Sequence, residues 1–197
     1  MDLSLFVGCS PAHNARIVLL HASMLKDKGV LEFIEAARHL KAVAPDWRFV
    51  LAGAARYDNS SAIGLAQLLA WQIAGCIEWL GHVDDMIPLF REAAIVCLPS
   101  FREGMHKSLL EAATAGCAVV TTGVTGCREA VESGVTGDLV QARDSSSLSN
   151  VLLSLIEDVQ RQQLYSAIGQ ERAKAIFSVA PVVSQTVNIY DGVLRHD

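Results

Sequence analysis

The stretch FREGMHKSLLEA, residues 101–112, sets two glutamates, Glu103 and Glu111, eight positions apart with Gly104 and Ser108 between them. Carboxylates accept hydrogen bonds from sugar hydroxyls, and Gly104 lets a backbone approach a ligand and expose its N–H groups. The helix that follows aims further N–H groups and a positive dipole end at the same space, which suits a phosphate. Lys107 adds charge beside it. A plainer reading stands next to this one. Ser108-x-x-Glu111 satisfies a capping box, in which serine and glutamate serve the helix start alone. A second candidate lies upstream, where Lys26, Asp27, Lys28 and Gly29 open another helix. It is either an anion-binding loop or a solvated charged turn.

Both candidates need elements that bring them together. Residues 16–22 (RIVLLHA) form an apolar, β-branched run and read as a buried strand. Residues 30–43 carry a wide apolar face at helical spacing, and Pro45 ends them. Further strands are expected at 49–52, 77–80, 95–98, 118–121 and 138–140. Helices are expected at 61–74, 84–92, 108–115, 127–132 and 145–158, then from 160 to 195 with a break near Pro181. Asp144 caps the helix from 145. Strand and helix alternate at intervals of roughly 20 to 40 residues, which predicts an α/β, Rossmann-like parallel sheet of about six strands with helices on both faces. Ligands then sit at the carboxyl ends of the strands, where strand order reverses, and the loops after the first and fourth strands meet there.

Other chemistries on such a sheet are disfavoured. The first strand runs into HASMLKDKG, not G-x-G-x-x-G, and neither a P-loop nor a G-x-S-x-G elbow occurs. The net charge of −5 disfavours a nucleic-acid partner. Five cysteines without a C-x-x-C pair read as reduced thiols of a cytosolic protein. No apolar run reaches the length of a membrane span. Asp84–Asp85 lacks D-x-D spacing and reads as a helix opening.

In order and spacing, Lys28–Gly29, Gly81–His82–Val83, Leu98–Pro99–Ser100, Glu103–Gly104, Ser108–Leu109–Leu110–Glu111–Ala112 and Gly126–Cys127–Arg128–Glu129 resemble the C-terminal, donor-binding half of retaining GT4-type glycosyltransferases of GT-B fold. Glu103 and Glu111 match that family's E-x7-E signature. The nearest likeness is to bacterial surface-polysaccharide transferases of the capsule and O-antigen kind. The resemblance implies metal-independent, retaining transfer of a hexosyl or N-acetylhexosaminyl group from a nucleotide-diphosphate sugar, UDP- or GDP-linked, to a polysaccharide or lipid-linked acceptor. No cofactor is expected. It implies that Glu103 lies near the donor sugar, Gly104 and Met105 offer N–H groups, Glu111 holds the ribose, Lys28 meets the diphosphate, and Ser108 and Leu109 assist at the helix start.

Two departures stand out. The family's arginine after the first strand is Ser23 here, which cannot replace a bidentate guanidinium, although Lys26 adds charge nearby. His106 stands where relatives often carry proline, and it is either a substrate contact or a solvated histidine. Residues 1–15 resemble the junction between the two halves of such enzymes, 16–180 the nucleotide-sugar domain, and 181–197 a helix that packs on an N-terminal domain. The expected protein is an enzyme fragment, cytoplasmic or peripheral at the inner membrane face, which needs an acceptor-binding half. A non-catalytic nucleotide-sugar-binding module or pseudoenzyme and a generic α/β interaction domain are the alternatives.

Overall fold

The computed structural model describes residues 4–6, 9–12, 15–56, 58–102, 104 and 107–177. The helix expected over 181–197 lies outside the described residues. Strands are β1 (Ile17–His21), β2 (Arg48–Ala52), β3 (Glu78–Trp79), β4 (Ala93–Leu98), β5 (Ala118–Thr122) and β6 (Gly137–Val140). Helices are α1 (Val30–Val43), α2 (Leu65–Ile73), α3 (Ile87–Glu92), α4 (Lys107–Thr114), α5 (Ser145–Glu157) and α6 (Val159–Phe177). The strands form one sheet in the order β3-β2-β1-β4-β5-β6, every neighbouring pair parallel. The chain thus winds outward from β1, returns to β4 beside β1, and winds outward the other way.

Right-handed crossovers in opposite directions put α1 and α4 on opposite faces of the sheet. α1 packs against α5 on one face, and α4 against α6 on the other. Strands covered on both sides have no polar face, and all six residues of β4 and all five of β5 are buried. α1 buries Val30, Phe33, Ile34, Ala36, Ala37 and Leu40, the stripe its periodicity requires.

Four expected elements come out differently. The helix expected from 61 begins at Leu65. Ser61 N donates to Asn59 Oδ1, Ser61 O accepts from Lys26 N, and Ala62 bridges to Leu25, so those residues are already committed to the loop after β1. The helix expected from 84 begins at Ile87, whose N–H is taken by Asp85 Oδ1 at 3.0 Å. The strand expected over 77–80 keeps only Glu78 and Trp79 in its ladder. The helix expected over 127–132 is a series of turns, in which Cys127 and Arg128 both donate to Val124 O and Glu132 N turns to Thr136 Oγ1.

Candidate functional site

β1 and β4 lie side by side, and the chain leaves them toward opposite edges of the sheet. The loops that follow them therefore meet at a topological switch point, the usual ligand crevice of such sheets. Three hydrogen bonds tie these loops to each other and to the next strand. Ser100 Oγ donates to Asp27 O at 2.8 Å, and Phe101 N donates to the same oxygen at 2.9 Å. Thr122 Oγ1, at the end of β5, donates to Ser100 O. The β1 loop is braced from its other side, since Lys26 N donates to Ser61 O and Met24 N to Ala54 O.

Packing makes the junction closer still. Gly29 sits in the left-handed region at φ 72°, and a Cβ there would stand 2.1 Å from Pro99 O. Only glycine satisfies both the angle and the approach. Gly104 is exposed, and among the described residues no neighbouring atom requires it to be glycine.

The predicted site residues fall as follows. Ser23 is partly exposed just beyond β1. Lys26 and Lys28 occupy a 3-10 turn whose last N–H groups reach back to Leu25 O and Lys26 O. Lys26 is exposed and Lys28 is half-buried, directly before Gly29, which opens α1. Gly104 and Lys107 are exposed across the crevice. Ser108, Leu109 and Glu111 are buried in α4. Glu103, Met105 and His106 lie outside the described residues.

The capping-box reading of Ser108 is corrected. α4 starts at Lys107, so Ser108 is inside the helix and not at its cap. Glu111, with only 7% of its side chain exposed, pairs through Oε1 with Lys107 Nζ at 3.1 Å, while Lys107 is 70% exposed. An exposed Lys107 thus covers a nearly buried carboxylate at the start of α4.

Sequence reasoning missed three neighbours of these loops. Phe101 lies beneath the guanidinium of Arg143, which stands 4.9 Å from the ring centroid. Glu32, in the first turn of α1, has a buried Oε2 without a hydrogen-bond partner. Burial raises its pKa, opposed by its own backbone N–H and by the charge of Arg143. Arg143 showed in the sequence only as the residue before a helix cap. No local pattern announces a contact between residues so far apart.

A cavity of about 250 Å³ opens elsewhere, between Pro11, Gly116 and the start of α6, among Ser10, Gln162, Gln163 and Ser166. Its lining carries no charge, so it does not suit a diphosphate. Among the described residues no group of three or more His, Cys, Asp or Glu is placed to hold a metal ion.

The pattern of the family described as "Glycosyl transferases group 1" matches residues 15–158. The chain is 32% identical over 180 residues to an N,N'-diacetylbacillosaminyl-diphospho-undecaprenol alpha-1,3-N-acetylgalactosaminyltransferase of Campylobacter jejuni, a match covering 91% of this chain and 46% of that protein. It spans about half the length of the curated relatives it matches. Its fold is that of the C-terminal domain of a glycosyl transferase group 1 family protein from Francisella tularensis, with a TM-score of 0.77 and 24% identity over 91% of this chain and 99% of that one. Anabaena HepE, solved in complex with UDP-glucose, superposes with a TM-score of 0.81 and 23% identity over 98% of this chain and 56% of its own. With its six-stranded parallel sheet and its switch-point crevice, the chain belongs to the glycosyl transferases group 1 family.

Proposed function

We propose that this chain is the donor-binding half of a retaining glycosyltransferase that takes a nucleotide-diphosphate sugar, UDP-linked in the first instance. The observation that carries the reading is the pair of fastened loops at the β1/β4 switch point, each opening a helix. The starts of α1 and α4 both offer backbone N–H groups to an anion. Lys26 and Lys28 on one side, and Lys107 on the other, supply charge. HepE, which shares this fold, was solved with UDP-glucose.

In this reading Lys28 and the two helix starts hold the diphosphate, with Ser108 and Leu109 at the α4 side. Glu111, once Lys107 moves off it, accepts from the ribose hydroxyls. Gly104 and Met105 present N–H groups, and Glu103 and His106 stand beside the donor sugar. The bond between the sugar's anomeric carbon and the diphosphate oxygen breaks, and an acceptor hydroxyl forms the new bond on the same face. The acceptor's proton leaves with the diphosphate. Charge developing on the leaving group is met by lysines and N–H dipoles, so no metal or other cofactor is invoked.

Residues 16–180 serve as the nucleotide-sugar domain in this proposal, and 181–197 together with an N-terminal half complete the acceptor side. The name of the Campylobacter relative points to a lipid-linked glycan as one acceptor class. Transfer to such an acceptor places the protein at the cytoplasmic membrane face. Among the described residues no helix is long and apolar enough to cross a membrane.

Calorimetric titration with UDP, UDP-N-acetylhexosamines and GDP, with and without a chelator, tests the donor reading. Binding of UDP that is unchanged by the chelator is expected. A strict requirement for a divalent cation, or no binding of any nucleotide, overturns it. Ser23, standing where the family resemblance implies a phosphate-binding arginine, supports a second reading as a non-catalytic nucleotide-sugar-binding module or pseudoenzyme. Joining the chain to a related acceptor-binding half separates the two, since sugar transfer appears only under the first.

A further inference from the structure

Arg143 is the only non-glycine residue among those described that holds a positive φ, 63°. That region disfavours a residue with a Cβ, and glycine would occupy it without cost. The residue stands between β6 and Asp144, whose Oδ1 accepts from Ser147 N at 2.8 Å to cap α5. Capping is therefore the task of Asp144 and gives no reason for an arginine beside it.

The side chain has other partners. Its guanidinium lies over the ring of Phe101 at 4.9 Å, a cation–π contact between the loop after β6 and the loop after β4. Phe101 is the residue whose N–H is bonded to Asp27 O in the loop after β1. On the α1 side the same guanidinium acts electrostatically on Glu32, whose buried Oε2 has no hydrogen-bond partner. One cation thus joins the loop after β6 to the loop after β4 and lies within electrostatic reach of the first turn of α1. Phe101 lies two residues before Glu103 and three before Gly104.

We propose that Arg143 is a positioning residue of the donor site: its guanidinium, laid on Phe101, holds that residue, and with it the loop after β4, in place beside the crevice. The proposal rests on the donor-site reading above. Arg143 acts through Phe101 and is assigned no contact with the nucleotide. The side chain reaches that ring from a left-handed backbone. Local backbone strain is accepted there for the sake of the loop's position.

The consequence is a separation of stability from binding. Arg143→Gly removes the strain and the cation together, whereas Arg143→Lys keeps a cation and the backbone preference. The experiment compares these two variants with the unaltered chain in three measurements. They are UDP affinity by calorimetry, melting temperature, and the rate of tryptic cleavage after Arg102 without ligand, followed by mass spectrometry.

Arg143→Gly is expected to weaken UDP binding at least about fivefold, the loss of one cation–π-scale contact. It is expected to speed cleavage after Arg102 at least about threefold, with a melting temperature no lower than that of the unaltered chain. Arg143→Lys should stay within about twofold on both rates and affinities. Unchanged UDP affinity and unchanged cleavage in Arg143→Gly overturn the proposal. So does a loss of affinity that appears only with a fall in melting temperature, since Arg143 would then support the fold generally. If the unaltered chain binds no UDP, the donor-site reading fails, and the cleavage rate alone decides whether Arg143 holds the loop.

Discussion

A Cβ on Gly29 would stand 2.1 Å from Pro99 O, at a backbone φ of 72°. Both the angle and the clash oppose any replacement, and the atom struck is backbone, which cannot move aside. Gly29→Ala is therefore expected to destabilise the chain by at least about 2 kcal/mol in urea denaturation, well above the effect of an exposed loop substitution. Ser23 has the opposite character. It is partly exposed and lies in the same loop, where the family resemblance implies an arginine. Ser23→Arg is expected to tighten UDP binding about tenfold, the scale of one charge-assisted hydrogen bond. An unchanged dissociation constant by calorimetry would count against the diphosphate's placement beside β1. At this scale the sequence was informative about residue types and weak about partners. Gly29, Lys28 and Glu111 were visible as a pattern. The pairing of Glu111 with Lys107 and the laying of Arg143 on Phe101 were not, because both depend on which side chains the fold brings into reach.

β3 has two residues in its ladder and forms one edge of the sheet. It is fastened across the strand by Arg48 of β2, whose Nε and Nη2 donate to the two carboxylate oxygens of Glu78 at 2.9 and 2.6 Å. That hydrogen bonding to Arg48 lowers the Glu78 pKa from its ordinary value of 4.5, against a smaller opposing effect of burial. A lowered folded-state pKa stabilises the fold above the unfolded value, and the contribution is lost as pH falls through the folded one. Glu78→Gln is thus expected to cost up to about 1 kcal/mol at pH 7, a surface-pair magnitude, and progressively less as pH falls below the ordinary 4.5. A loss that does not change as pH falls through the acid range would show that the pair acts by packing and not by charge. Glu32 runs the other way. Burial raises its pKa, so its contribution is full below the ordinary 4.5 and is lost as pH rises through the raised value. Long periodic elements such as α1 and the apolar strands were legible because period and burial agree. α2 was misread at its start because Ser61 and Ala62 answer to the β1 loop, a tertiary demand that helix propensity does not contain. The 127–132 segment has helical composition yet forms turns, with Thr136 Oγ1 taking the N–H of Glu132.

Over the whole molecule, alternation of strand and helix was enough to foresee a parallel sheet and where its crevice would lie. The full order of the outer strands came from the coordinates, while the expected meeting of the first and fourth strands holds: β1 and β4 are neighbours after two crossovers out and a return. Two contiguous stretches, Ile17–Trp79 and Ala93–Val140, make the two halves of the sheet, and each contributes one wall of the crevice. That arrangement has a consequence in time. The β1–β4 seam joins residues far apart in the chain, and such pairings form late because loop-closure entropy must be met first. A crevice built on that seam is absent from an early transition state. A nucleotide that binds only the finished crevice then stabilises the native state without lowering the folding barrier. Saturating UDP is expected to slow unfolding about in proportion to the stability it adds and to leave the refolding rate within about twofold, as read from the two limbs of a chevron. A refolding limb accelerated by UDP would mean that the halves dock first. On that expectation the seam between β1 and β4 is a clock as well as the proposed binding place, with the ligand pocket completed late in folding.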